Sequence, residues 1–120
     1  MTQEDKVLLL KDLCARLPYG TMTYLQNSID AFDSELCTLV LEHVINDEYV
    51  VKPYLFPLSS MTEEQKVIYG DLCDKVLYNS KGLISSDVME YVNWCYKNHI
   101  DINNLIPMGL AIDATGLNIY

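Results

Sequence analysis

Three residues near the end of the second half of the chain have side chains that group-transfer enzymes use: Cys95, His99 and Asp101. In an enzyme, Cys95 would be the nucleophile, His99 its base, and Asp101 the group that orients the His99 ring. The spacing of these residues matches no triad signature, so a small enzyme using them is one alternative and not our leading hypothesis. This alternative requires Cys95 to be exposed, with a lowered pKa.

Ligand-binding motifs are missing from the sequence. Asp30, Asp33 and Glu35 lack the central glycine and the distal glutamate of an EF-hand loop, and neither a P-loop nor a Gly-x-Gly-x-x-Gly motif is present. A zinc site normally takes two ligands from one Cys-x-x-Cys pair, but the four cysteines are dispersed singly. They are Cys14, Cys37, Cys73 and Cys95. We therefore expect no metal, no cofactor, and buried thiols in a reducing cytoplasm.

Aromatic residues are the most suggestive feature of the composition. Nine tyrosines and one tryptophan are many for 120 residues, and both residue types are enriched at protein interfaces. Six aromatic residues are candidates for one partly exposed surface that binds a partner protein: Tyr49, Tyr54, Phe56, Tyr91, Trp94 and Tyr96. The alternative, which we favour for these rings, is that they fill the core between sheet and helices, with their polar atoms at its rim.

The charge of the chain limits its partners. A formal net charge of -9 and a pI near 4.4 repel phosphate groups, which disfavours direct binding of nucleic acid or of anionic membrane surfaces. The same acidity leaves open an acidic inhibitor or DNA mimic of phage origin, which would need carboxylates arrayed on one face. No apolar run is long enough to span a bilayer, and the acidic N-terminus is unlike a signal peptide. We expect a cytoplasmic protein.

The first element that must position these residues is a helix over residues 2–17. Thr2 and Asp5 resemble a capping box, and Pro18 ends the helix. The apolar periodicity predicts an inward face and a solvent face. The inward face contains Val7, Leu9, Leu10, Leu13, Cys14 and Leu17, and the solvent face contains Lys6, Lys11, Asp12 and Arg16.

The next part of the chain predicts an antiparallel sheet of about three strands. The strands are expected over residues 19–25, 36–45 and 49–56, with a polar loop at 26–33. In the middle strand, the predicted core residues alternate: Cys37, Leu39, Leu41, His43 and Ile45. Because Pro53 has no N–H, the third strand should lie at an edge or break there.

Residues 60–98 predict a helical half with two helices. Ser60 with Glu63, and Thr62 with Gln65, both match capping boxes for the first helix, which ends near residue 78. Its predicted buried stripe comprises Ile68, Tyr69, Leu72, Cys73, Val76 and Leu77. A loop at 79–82 leads to the second helix, over residues 85–98. The apolar tail, residues 99–120, should dock on the body, as an added strand.

The whole chain, residues 1–120, is therefore expected to be a single α+β domain of about three strands and about three helices. It comprises an N-terminal helix, antiparallel strands to about residue 58, a helical half over 60–98 and a docked tail over 99–120.

Three blocks of sequence resemble a family of small proteins encoded by gut Bacteroidetes and their phages and prophages. The blocks are LLLKDLCARLPYG at 8–20, VKPYLFPLSSMTEE at 51–64, and NHID at 98–101 with LIPMGLA at 105–111. Residues 102–104 depart from the Tyr-Arg-Gly of that family. The resemblance implies a cytoplasmic, mobile-element setting, and it implies no activity, cofactor or catalytic residue. Our leading hypothesis is thus a non-enzymatic cytoplasmic protein that acts by protein–protein contact.

Overall fold

A computed structural model describes residues 1–78 and 85–120, and the loop expected at 79–82 lies outside them. The architecture is α+β, as the sequence predicts. Within the described residues it has four α-helices and four strands, one more of each than expected. In chain order the elements are α1 (Gln3–Arg16), β1 (Met22–Gln26), β2 (Ala31–Glu35), α2 (Thr38–Ile45), β3 (Val50–Leu55), α3 (Glu63–Tyr78), α4 (Ser85–Lys97) and β4 (Ile112–Asp113).

Helix α1 begins with the predicted capping box. The Asp5 N–H donates to Thr2 Oγ1 at 3.0 Å, and the Thr2 N–H donates back to Asp5 Oδ2 at 3.4 Å. The predicted faces of this helix are partly wrong. Leu9 and Leu13 are buried as expected, but Asp12 and Arg16, expected on the solvent face, are buried beside them. Two residues expected to face inward are exposed, Val7 and Cys14.

The sheet has the strand order β2-β1-β3-β4. β1 is antiparallel to both neighbours, with Leu25 opposite Phe32 on β2 and opposite Val51 on β3. β4 pairs parallel to β3, so the tail adds a strand and makes the sheet mixed. The expectation that Pro53 marks an edge is wrong, because β3 lies between β1 and β4. Pro53 faces Thr23 of β1, and β4 pairs with the two residues that follow the proline.

The strand expected at residues 36–45 is also wrong, because Thr38–Ile45 form helix α2. Val40 and Val44 are the buried residues of α2, four positions apart on one helical face. Leu39 and Ile45, assigned to the core by alternation, are instead exposed. The strand that pairs with β1 is β2, formed largely from residues expected to be a loop. An eight-residue apolar run is short enough for either structure, and packing decides between them.

The buried core is formed by α1, α2, the sheet and the tail. Its residues are Leu9, Leu13, Leu25, Leu36, Val40, Val44, Val51, Leu55, Leu105, Leu110 and Ala111. Helix α3 packs against α4, and within α3 Leu72 is buried whereas Ile68 and Leu77, expected to be buried, are exposed. The Thr62–Gln65 capping box of α3 is present, while the Ser60 hydroxyl donates to the Pro57 carbonyl instead.

Candidate functional site

The six aromatic residues that are candidates for one surface are divided among separate contacts. Tyr54 is buried at 7 % exposure, and its hydroxyl donates to Asp33 Oδ1 at 2.6 Å. Burial, then the hydrogen bond to Asp33, raises the pKa of Tyr54 to about 12. Phe56 packs near the ring of Tyr120, with 5.7 Å between centroids. Tyr54 is therefore an interior residue whose hydroxyl bonds to β2, and Phe56 belongs to the docking of the tail.

The helical members of the six contact other partners. Tyr91 and Trp94 both lie against Tyr69 of α3, and the Tyr91 and Tyr69 hydroxyls are 3.2 Å apart. Burial is the main reason that the pKa of Tyr91 is raised. Tyr96 lies under the guanidinium of Arg16, 4.7 Å from its ring centroid, which is a cation–π contact. These three rings hold the helices together, as the core alternative proposes.

Tyr49 borders an open cleft. Its ring packs edge-on against Phe32 at 5.5 Å and His43 at 4.7 Å. It also lines a cleft of about 680 Å³ between the start of α1, the end of β1, residues 47–52 and residues 108–110. We call this cleft the Tyr49 groove.

The Tyr49 groove has exposed apolar residues and a charged rim. Met1, Val50 and Met108 are 68 %, 57 % and 47 % exposed, so they present apolar surface to solvent in the cleft that Tyr49 also lines. Methionine adapts its shape readily, which suits a surface that binds a partner. The charged lining residues are Asp5, Lys6, Asp47, Glu48 and Lys52. No histidine or cysteine belongs to the described lining of this groove.

One lysine of the rim is already engaged by the body. Lys6 Nζ lies 3.1 Å from Asp47 Oδ2 and donates to the carbonyl of Ile45 at 2.8 Å. These contacts tie the end of α2 to α1 and hold one wall of the groove in position. The groove is therefore built by side chains that come from distant parts of the chain.

The three catalytic candidates do not form a reactive group. Cys95 is fully buried, and desolvation raises the pKa of its thiol to about 11. A nucleophilic cysteine needs the opposite properties, exposure and a lowered pKa, so the structure contradicts this role. The Asp101 carboxylate accepts the N–H groups of Leu105 and Ile106 at 2.8 and 2.9 Å. Asp101 thus holds the turn that follows it.

The His99 ring is held by contacts that serve the fold. Its ring is stacked on that of Tyr120, with centroids 3.8 Å apart and planes 9° apart, and its Nδ1 lies 3.2 Å from Thr21 Oγ1. Desolvation, followed by the positive charge of Arg16, lowers the pKa of His99 to about 4. The ring is therefore neutral at pH 7. The Tyr120 hydroxyl donates to the Tyr54 carbonyl and accepts from the Met22 N–H, which fastens the tail to the sheet.

A buried polar network, which sequence reasoning missed, surrounds Arg16. Arg16 Nε and Nη2 donate to the two oxygens of Asp12 at 2.7 and 3.1 Å, and Nη2 also donates to the Ile100 carbonyl at 2.8 Å. Asn103 Nδ2 donates to Asp12 Oδ1 at 2.8 Å. The signal that could have found this pair is its spacing, because Asp and Arg four positions apart meet on one helical face. This network joins α1 to the tail.

The exposed acids are dispersed along the chain. They occur in α1, β2, α2, α3 and the segment after α2, among them Glu4, Asp33, Glu42, Asp47 and Glu63. Across residues 1–78 and 85–120, no group of three His, Cys, Asp or Glu side chains is placed to hold a metal ion. None of the helices in the described part of the chain combines the length and apolar character that a membrane crossing needs.

Comparison of this chain with protein-family models, with curated proteins and with solved structures found no match. The contacts and surfaces of the chain itself therefore carry the functional argument.

Proposed function

We propose that this protein is non-enzymatic and acts in the cytoplasm by binding another protein. The observation that carries the proposal is the Tyr49 groove, a cleft in which Met1, Val50 and Met108 expose apolar surface and which Tyr49 also lines. Apolar and aromatic anchors at the centre of an interface supply most of its binding energy. The cytoplasmic and mobile-element parts of the proposal depend on the isolated cysteines and on the sequence resemblance.

The groove favours a partner segment with an apolar anchor and a basic flank. The anchor would occupy the cleft beside Val50, and the flank would face acids that line the groove, Asp5 and Glu48. Opposite charges at the rim guide association and select partners more than they add affinity. Such a partner would bind mainly through apolar contact, so its complex should survive raised salt.

A matched pair of variants tests the proposal. Val50→Asp places a charge in the groove, and Val67→Asp places the same charge on α3, at a valine that is also exposed (57 % and 64 %). The wild-type protein is used to capture partners from host lysate. Each captured partner is then purified, and its affinity for the wild-type protein and for the two variants is measured. We expect Val50→Asp to weaken partner binding at least tenfold, which is a loss of about 1.4 kcal/mol or more of binding free energy. Val67→Asp should bind the partner with the wild-type affinity.

The outcomes separate the candidate functions. Equal binding of a partner by all three proteins would contradict a role for the Tyr49 groove. A nucleic-acid-binding partner that is lost at raised salt would instead favour the acidic inhibitor. Both valines are already exposed, so neither substitution should unfold the protein. Thermal melting of each variant checks this and separates a loss of binding from a loss of fold.

A further inference from the structure

The strand β2 leaves one long edge of the sheet unpaired. In the strand order β2-β1-β3-β4, β2 pairs on one side with β1, and no other strand pairs with it among the described residues. The opposite edge of the sheet is β4, which has two residues, whereas β2 has five. Four of the five residues of β2 are exposed. β2 is therefore the longer edge that another strand could join.

The hydrogen-bonding pattern identifies which backbone groups of β2 point outward. The Asn27 N–H donates to the Asp30 carbonyl, and the Leu36 N–H donates to the Thr21 carbonyl. In an antiparallel pair, hydrogen-bonded and non-hydrogen-bonded positions alternate. The backbone N–H and carbonyl groups of Phe32 and Ser34 therefore point towards β1. The N–H and carbonyl groups of Ala31, Asp33 and Glu35 face away from the sheet.

The side chains of this edge are acidic on one face. Asp33 and Glu35 are two positions apart, so they lie on the same face of the sheet, and the acidic Asp30 precedes the strand. Asp33 is held in place by the hydroxyl of Tyr54. Phe32 lies on the other face, where it is 41 % exposed and contacts Tyr49. The Glu35 carbonyl accepts from the Ser34 hydroxyl at 3.1 Å, and no strand of the described residues pairs with the outward side of β2. The edge thus combines backbone groups that have no strand partner with negative charge and one apolar ring.

A second copy of the chain that pairs antiparallel about Asp33 is disfavoured at this edge. Two β2 strands paired antiparallel about Asp33 would place the two Asp33 carboxylates opposite each other. Like charges directly across a strand pair are destabilising. A segment with lysine or arginine at alternate positions would instead place its cations against Asp33 and Glu35.

We infer that β2 binds an extended, basic segment of a partner protein, which adds a strand to the sheet beside Ala31, Asp33 and Glu35. Its lysine or arginine side chains face the two carboxylates, and apolar side chains at the intervening positions face Phe32. Backbone hydrogen bonds provide the attachment, and the alternating charges determine the choice of partner. This inference rests on the proposed function but concerns a different surface from the Tyr49 groove.

Amide hydrogen exchange of the intact protein tests this inference directly. The probe is a capped heptapeptide that alternates lysine and valine, and the control peptide has glutamate in place of lysine. In the free protein the amides of Ala31, Asp33 and Glu35 should exchange fast. With the lysine peptide we expect their exchange to slow by about tenfold or more, with no change in the presence of the glutamate peptide.

Two variants of the protein separate backbone pairing from charge. Ala31→Pro removes one outward N–H at the first residue of the strand, where proline is tolerated, and it keeps every acid. Asp33→Asn with Glu35→Gln keeps the backbone and the bond from Tyr54, and should weaken peptide binding by about three- to tenfold. If Ala31→Pro fails to fold, the amide-exchange result and the double variant still decide the question.

Three results would overturn the inference. These are no slowing of exchange at the three amides, equal slowing with the glutamate peptide, or slowing that grows with protein concentration in the absence of peptide. The last result would indicate pairing of two copies. A peptide that perturbs amides near Tyr49 and Val50, while the β2 amides stay fast, would overturn this inference and leave the proposed function standing. Loss of partner binding by Val50→Asp likewise tests the proposed function independently of β2.

Discussion

Replacing Asp12 by alanine is expected to lower the free energy of unfolding by about 3–5 kcal/mol, because it leaves the Arg16 guanidinium buried without its counter-ion. Both side chains of the pair have 0 % exposure, so water cannot replace the lost carboxylate. The substitution removes three hydrogen bonds, two from Arg16 and one from Asn103. Arg16 would keep its contacts to the Ile100 carbonyl and the Tyr96 ring.

This loss is large relative to the stability of a small domain, which is about 5–15 kcal/mol. Urea unfolding can be followed by the fluorescence of Trp94, the single tryptophan of the chain. The midpoint should fall, with an unchanged dependence on urea. Lys11→Ala, an exposed change at the neighbouring position of α1, is the control and should alter stability by less than about 0.5 kcal/mol.

A double variant distinguishes the stranded charge from other effects. Asp12→Leu with Arg16→Met removes both charges and keeps apolar volume, so it should be less destabilising than Asp12→Ala alone. The reasoning would be refuted if Asp12→Ala cost no more than Lys11→Ala. It would also be refuted if the double variant were the less stable of the two, because the effect would then not come from an unpaired buried charge.

Three further predictions concern the tail and the thiols. The pKa of His99 is lowered from 6.5 to about 4 in the folded chain. Between pH 6.5 and pH 4, His99 is therefore protonated in the unfolded state and neutral in the folded state. The free energy of unfolding should fall as the pH drops through this range. The loss should be about 1–2 kcal/mol once the partial exposure of the ring is taken into account, and a His99→Gln variant should show a weaker pH dependence in urea unfolding. Tyr120→Phe should lower the free energy of unfolding by about 1–2 kcal/mol, because it loses the hydrogen bonds of the hydroxyl. Tyr120→Ala should lower it further and should also raise the pKa of His99, as measured by NMR titration. An unchanged His99 pKa in Tyr120→Ala would contradict burial of His99 by the tail. A thiol reagent should modify the exposed Cys14 and Cys37 quickly and should leave the buried Cys95 unmodified until the protein unfolds. Mass spectrometry identifies the labelled residues. Fast labelling of Cys95 in the folded protein would support its role as a nucleophile.

Several local signals were read correctly, although the Ser60–Glu63 capping box was not, because the Ser60 hydroxyl bonds to the Pro57 carbonyl. The Thr2–Asp5 and Thr62–Gln65 capping boxes each connect residues three positions apart, and both are present. The run before Pro57 forms the strand β3, as predicted. The α+β class follows from these elements. Each of these features is determined mostly by backbone preference and short-range hydrogen bonds.

Errors arose where a segment is defined by what packs on it. The run from Thr38 to Ile45 is rich in residues that favour strands, yet it forms a helix because Val40 and Val44 pack into the core from one helical face. Pro53 was expected at an edge, but the tail adds β4 beyond it. The tail comes from about sixty residues further along the chain. Nothing near Pro53 in the sequence indicates that neighbour.

The candidate site shows the same division. Residue types alone indicated an acidic chain with many tyrosines and no ligand-binding motif, and they singled out Tyr49 as one of six interface candidates. Only the tertiary structure placed Tyr54 in the interior, buried Cys95, and brought Met1, Val50 and Met108 into the cleft that Tyr49 lines. The physical reason is that composition, caps and turns depend on neighbours in sequence. Burial, the pKa of a thiol and the shape of a groove depend on residues that become neighbours only when the chain folds.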